Sequence, residues 1–196
     1  MTSPRPRLLF AVILAALAAA GTAATACSDL NQLPPPLDSN AVDTISLFAL
    51  TGTPITEPSA YNISDTARVR TDRSPTFDFA FDIDSTGKAV LLPTGALGLG
   101  QASGIRVLTT PFDSIFNAPT GTYVDTMRVV VDSGTIAVIR SRPTVCSFGA
   151  TVFLYAKLQV LHIDTTSAPG GRRIDFRILA DQNCGYRGLK PGLPTS

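Results

Sequence analysis

Phe77-Asp78-Phe79-Ala80-Phe81-Asp82-Ile83-Asp84 alternates with a period of two, placing three phenylalanines and an isoleucine on one face and mostly aspartate on the other. A helix would scatter these residues around its circumference, whereas a strand sends them to opposite sides of a sheet. Asp84 to Gly87 then reads as a turn and Lys88 to Leu92 as the returning strand, so the stretch predicts a β-hairpin with one apolar face.

The same period recurs downstream. Leu154, Ala156, Leu158 and Val160 alternate with Tyr155, Lys157 and Gln159; Thr165 to Gly171 offers a turn; Ile174, Phe176 and Ile178 then alternate with Asp175 and Arg177. This predicts a second hairpin between Val152 and Ala180. A third is read from Tyr123 to Arg140, with Tyr123, Met127, Val129 and Val131 in one parity, a break at Asp132-Ser133-Gly134, and β-branched residues from Thr135 to Ile139. Weaker strands are expected at Thr44 to Leu50, Ala67 to Arg70 and Ile105 to Thr109, and a short helix at Thr110 to Ala118. Fifteen prolines and fifteen glycines spread between these segments leave no room for long helices. Short strands separated by turns bury their apolar faces by packing two sheets together. The expected fold is therefore all-β, an immunoglobulin-like β-sandwich of about seven to nine strands, with a small β-barrel as the alternative closure of the same strands. It forms a single domain over 41–190, with a flexible C-terminal tail over 191–196.

Hydrophobic residues make up 44% of the 196-residue chain and charged residues 16%, a balance that supports a buried core and excludes disorder from charge excess. Beyond residue 26 the basic and acidic residues nearly cancel, fourteen against fifteen, and are interspersed. Nucleic acid binding needs a basic excess on one face, so that class is excluded.

The first residues have another logic. Arg5 and Arg7 precede thirteen apolar residues from Leu8 to Ala20, and Ala24 and Ala26 supply the small side chains that a signal peptidase accepts. Residues 1–26 are thus expected to form a signal peptide with a helical apolar core. Ala24-Thr25-Ala26-Cys27 resembles the lipobox of bacterial lipoproteins, although Ala24 stands where a larger aliphatic residue is usual, and the same residues also suit the peptidase that leaves a soluble secreted or periplasmic chain. The resemblance implies cleavage after Ala26 and acylation of Cys27, palmitate among the chains, which would anchor the protein to a membrane. With Cys27 acylated, Cys146 and Cys184 are left as an even pair for a disulfide in an oxidising compartment. The family's sorting rule, which retains an Asp after the cysteine at the inner membrane, favours the outer membrane here because Ser28 occupies that place. Residues 27–40, with Pro34, Pro35 and Pro36 amid polar neighbours, read as a lipid-anchored Pro-rich tether.

Candidate chemistry is sparse. His162, the only histidine, falls in the parity of Leu158 and Val160 and reads as a structural imidazole; there is no nucleophile elbow, and one histidine cannot assemble a zinc or copper site. Asp82 and Asp84 before Gly87 resemble the start of a calcium loop, yet Pro93 stands where such a loop ends in glutamate. Asp78 and Asp82 are the pair that a glycosidase would need on one face. Arg68, Arg70 and Arg73 form one basic patch, and Arg172, Arg173 and Arg177 a second. Tyr186 and Arg187, within Asn183-Cys184-Gly185-Tyr186-Arg187-Gly188, read as part of a packed C-terminal clasp, with a possible recognition loop on a rigid support as the alternative. No catalytic residue and no cofactor is assigned. The expected role is a non-enzymatic envelope lipoprotein that binds an envelope protein or polymer or acts structurally; the alternatives are a small-ligand or calcium-binding module and, behind it, an envelope hydrolase.

Overall fold

The strand Tyr155–Asp164 and the strand Arg173–Asp181 pair antiparallel over nearly their whole length, from Tyr155 opposite Asp181 to Asp164 opposite Arg173. In the computed structural model, which describes residues 33–100 and 102–195, these are the eleventh and twelfth of twelve strands. The others are β1 (Val42–Phe48), β2 (Ala60–Asn62), β3 (Ala67–Val69), β4 (Phe79–Ile83), β5 (Ala89–Pro93), β6 (Gly104–Leu108), β7 (Val129–Val130), β8 (Ile136–Arg140), β9 (Thr144–Val145) and β10 (Thr151–Val152). One five-stranded sheet runs β1-β12-β11-β8-β6, a second runs β3-β2-β4-β5-β7, and β9 and β10 form a small separate hairpin. Every pairing is antiparallel, both large sheets are open, and the chain forms an all-β sandwich. Ten strands share the two large sheets because pieces as short as β3 and β7 complete the edges of the second.

The inner faces supply the core. Leu47 of β1, Ile174, Phe176 and Ile178 of β12, Ala156, Leu158 and Val160 of β11, and Ala137 and Ile139 of β8 pack against Tyr61, Phe79, Phe81, Ile83 and Leu91 of the other sheet. The Phe79 and Phe176 rings meet across the two layers, 6.0 Å between centroids. Ridges of alternating residues from both sheets thus fill one slab, as the period of two requires.

The hairpin β4–β5 forms as expected. Asp84 shapes its turn: one carboxylate oxygen accepts from the Thr86 and Lys88 amides at 2.8 and 3.0 Å, and Gly87 takes the positive φ of 81° that closes the loop. Phe77 departs from the pattern. Its ring joins Ala60 and Ala80 outside the main core, while Asp78, expected on the polar face, is only 1% exposed. The backbone changes face just before β4, and the reason lies in the polar groups that Asp78 serves. Its Oδ2 accepts from the Ile63 amide at 2.7 Å and its Oδ1 from the Arg142 amide at 2.9 Å, with the Arg142 guanidinium 3.4 Å away. Arg142 follows β8 in the first sheet, so this carboxylate ties the two sheets at one end of the sandwich.

The expected hairpin from Tyr123 to Arg140 does not form. β7 pairs with β5 in one sheet and β8 with β11 and β6 in the other. At Asp132–Thr135 the chain crosses between layers, held by Gly134 donating to the Val160 carbonyl and Val160 to that of Thr135, both at 2.9 Å. Met127, assigned to the apolar parity, is 65% exposed. The short helix expected over Thr110 to Ala118 is one 3-10 turn at Phe112–Ser114, inside a loop that covers the outer face of the first sheet. That cover buries Lys157, read from the sequence as outward. Its ammonium donates to the Phe112 and Ile115 carbonyls at 2.9 and 3.0 Å and lies over the Phe112 ring, and burial pulls its pKa down.

Both ends of the folded chain are stitched at the Asp78 end. The Asn183 side chain accepts from the Leu37 and Asp38 amides and donates to the Asp38 carbonyl, and Asn40 pairs through its backbone with Gly192. The signal peptide and Cys27 lie outside the described residues.

Asp78 makes a strong prediction. Asparagine in its place keeps one acceptor and turns an amide toward a buried donor, so Asp78→Asn should cost about 1–3 kcal/mol in urea denaturation. Burial raises the Asp78 pKa, so the folded state holds this proton more tightly than the unfolded one. Its contribution is full below the ordinary carboxylate value and declines as pH rises through the raised value, so the parent's margin over the variant should narrow along that rise.

Candidate functional site

Cys146 and Cys184 are joined, their Cα atoms 6.0 Å apart. The bond links the β9–β10 hairpin to the segment after β12, closing a separation of 38 residues. In the chain-entropy model such a link contributes about 4 kcal/mol by restricting the unfolded chain.

The segment beyond it turns inward. Tyr186 is 9% exposed, and the Arg187 guanidinium donates to the Ala118 and Pro119 carbonyls while lying 4.8 Å over the Tyr155 ring. Leu189 joins Phe112, Ile115 and Tyr155 in a second apolar cluster on the outer face of the first sheet. Tyr186 and Arg187 thus work as the clasp that the sequence favoured over a recognition loop, and they fasten the covering loop.

The open feature lies at the opposite end of the sandwich. Thr51, Asp82, Asp84, Val90, Arg128 and Arg172 line a cleft of about 740 Å³, and a second of about 460 Å³ runs beside it between Phe48, Pro54, Glu57 and the Ser167–Gly171 loop. Arg172 is the wall between them. It sits in the left-handed region at φ 51°, and its guanidinium donates to the Thr51 carbonyl at 2.8 Å and the Ile83 carbonyl at 3.2 Å, joining the β11–β12 loop to the far end of β4. A side chain at Gly52 would collide with it, since a Cβ there would stand 2.7 Å from the Arg172 Nε.

The cleft's carboxylates are already engaged. Asp82 Oδ1 accepts from the Thr51 amide and hydroxyl at 3.1 and 2.8 Å. Asp84 is held below the usual carboxylate range by the Thr86 hydroxyl and neighbouring amides, and its other oxygen faces Arg128 at 3.6 Å. These are turn-capping roles, and among the described residues no group of three His, Cys, Asp or Glu stands together to hold a metal ion. Arg128 is different: its side chain is 58% exposed and only loosely paired. Sequence reading missed it because Met127 to Val131 looked like one long strand, whereas only Val129–Val130 is strand.

The remaining candidates are dispersed. Asp78 and Asp82 serve different tasks, Asp78 accepting from the buried Ile63 and Arg142 amides at one end of β4 and Asp82 accepting from Thr51 at the other, so they do not face one another as a glycosidase pair would. His162 is exposed, because a bulge between Val160 and His162 breaks the parity that would have buried it. Arg177 stacks on Phe112 at 4.1 Å and pairs with Asp113, Arg173 pairs with Asp175, and Arg172 points the other way, so the second basic patch does not assemble. Arg68 lies on β3, an edge strand, where a cation discourages pairing with another chain, and Arg70 is bonded to Asp72.

Removing the Arg172 side chain should open the two clefts into one and cost about 2 kcal/mol through the lost charged hydrogen bonds. Arg172→Gly should be roughly 1 kcal/mol less damaging than Arg172→Ala, because glycine carries no left-handed penalty; equal losses in urea would show that the strain is absent. Melting with calcium and with chelator should coincide, and a calcium shift abolished by Asp82→Asn would restore the calcium loop.

No family model, curated protein or solved structure matches this chain.

Proposed function

We propose that the protein is a non-enzymatic lipoprotein of the cell envelope, held to a membrane through Cys27, that offers the cleft bounded by Arg128, Arg172 and Asp82 to a partner protein or envelope polymer. The observation that carries this reading is the division of labour between the two ends of the sandwich. Leu37 and Asp38, ten and eleven residues after Cys27, are clamped by Asn183 at one end, and the open polar cleft lies at the other, between the β4–β5 and β11–β12 loops. A lipid at Cys27 then holds the clamped end near the membrane and leaves the cleft facing away from it.

The chemistry of the cleft favours binding over catalysis. Its two carboxylates cap turns, its walls are open, and its one loosely held charge is the Arg128 guanidinium. An arginine free to exchange a weak pairing for a carboxylate or phosphate on a partner suits recognition of an anionic surface. Ser28 after Cys27 favours the outer membrane, in an organism that has one, by the sorting rule of the lipoproteins that the Ala24–Cys27 motif resembles.

Two measurements test the reading. Intact mass of membrane-extracted protein should give an N-terminus at Cys27 carrying acyl mass, and Cys27→Ser should leave the membrane fraction; an unacylated mature chain in the parent overturns the anchor. A photo-crosslinker replacing Ile55, exposed between Pro54 and Glu57 of the second cleft, should capture one partner in intact cells, and Arg128→Gln should lower the yield about tenfold, the scale of one charged hydrogen bond, with little change in the melt. A yield indifferent to Arg128 overturns the cleft.

A further inference from the structure

The end of the sandwich that holds the N-terminal strap also carries its least soluble surface. The β9–β10 hairpin, Thr144 to Val152, contains no charged residue, and its tip presents Val145 at 72% exposure and Phe148 at 44%. The Cys146–Cys184 bond sets this hairpin one residue from Asn183, whose side chain holds the Leu37 and Asp38 amides. Leu37 is 86% exposed. Asn40 is bonded to Gly192, beside Leu193 at 57%, and through its side chain to the Gly188 carbonyl. Gly188 bridges to Asn117, beside Phe116, which is 51% exposed with the Lys190 ammonium 4.2 Å over its ring. Large apolar side chains from four separate segments are thus tied to one end and left facing outward. A core has no use for them there, and the polar knot of Asn40 and Asn183 fixes their positions.

From these observations and the proposed acylation of Cys27, we infer that this end is a membrane-docking face, with Phe148, Val145, Leu37 and Leu193 entering the headgroup and acyl boundary of the bilayer to which the protein is tethered. Chain length selects the occupant. Ten peptide steps separate Cys27 from Leu37, a reach of at most ~35 Å, so an acylated Cys27 keeps this end closest to the lipid and at high effective concentration against it. Under that condition a weak apolar face suffices, since the tether has already met the cost of bringing protein and membrane together. The Lys190–Phe116 pair has the character of an interfacial anchor, an aromatic ring with its cation free to reach an anionic headgroup. Docking gives the anchored domain a fixed orientation and holds the Arg128 cleft at the outer end of the molecule.

The chain contains no tryptophan, so single substitutions report position without background. Phe148→Trp and Val145→Trp probe the proposed face, and Ile55→Trp, 70% exposed at the other end, is the control. Each full chain, extracted with its lipid, is reconstituted in vesicles of phosphatidylethanolamine and phosphatidylglycerol, with and without brominated acyl chains. Brominated lipid should quench the two hairpin tryptophans about twofold, as expected for side chains at the acyl boundary, and leave Trp emission at position 55 unchanged. Chains that float with the vesicles while all three tryptophans stay unquenched overturn the docking face and leave the anchor standing. A blue shift that follows protein concentration in detergent, without quenching in vesicles, assigns the face to a second copy and equally overturns it. Chains that do not float overturn both.

Discussion

Everything in this domain depends on keeping the slab between the two sheets free of water, and the contact between Phe79 and Phe176 stands for that constraint. Phe176 lies on β12, which is flanked by β1 and β11, and Phe79 opens β4, which is flanked by β2 and β5. Neither sheet can exist without the other, because each alone would show a continuous apolar face to solvent. Burial of this kind has no direction of its own. It draws the layers together without choosing how they sit, and that choice falls to polar groups at the two ends.

At one end the choice is made by Asp78 and Arg142, at the other by Arg172. Both devices join an arginine of the first sheet's connections to the β4 segment of the second, and both end on backbone amides or carbonyls that would otherwise go unpaired. Their settings differ. Asp78 is sealed, and burial raises its pKa against the pull of the hydrogen bonds it accepts, so it acts as a fixed joint. Arg172 stands at the rim of open clefts in a conformation that only a well-supported residue other than glycine retains. The closed joint belongs to the end that holds the N-terminal strap, and the exposed joint to the end with the clefts.

Much of this was legible in the chain. The period of two located β4, β5, β11 and β12, and the segments read as weaker strands are β1, β3 and β6. Such patterns are visible because each strand buries one face and alternation reports that directly. What the pattern did not contain is partnership. Val129 to Ile139 looks like a hairpin because its halves have the right composition, and whether a chain folds back or crosses to the facing layer depends on which edge is vacant, a property of the assembled sheets. The same blindness put Lys157 on a solvent face. Alternation reports which side of a strand a residue occupies, while the loop that covers that side comes from residues 109–118, some forty positions away. Arg128 was missed, and Arg172 was read into a basic patch rather than as a cleft wall, for a related reason, since a cleft made by three loops leaves no spacing in any one of them.

The polar knot at the strap end shows how a domain can use its termini. Asn183 spends both halves of its amide on residues 37 and 38, and Asn40 spends its amide on Gly188 and Lys190, so the first and last segments hold one another. Next to this knot the disulfide ties the uncharged β9–β10 hairpin in place. The combination is costly for a freely diffusing protein, because rigid exposed apolar side chains invite association. It becomes useful only if that end of the molecule has a constant neighbour. A neighbour that is always present need not be bound tightly, and a few side chains at its surface are then enough to set orientation. On the proposed reading, rigidity at the strap end and exposure at the cleft end are two parts of one arrangement, in which the cleft loops lie at the opposite end of the sandwich from the proposed point of attachment.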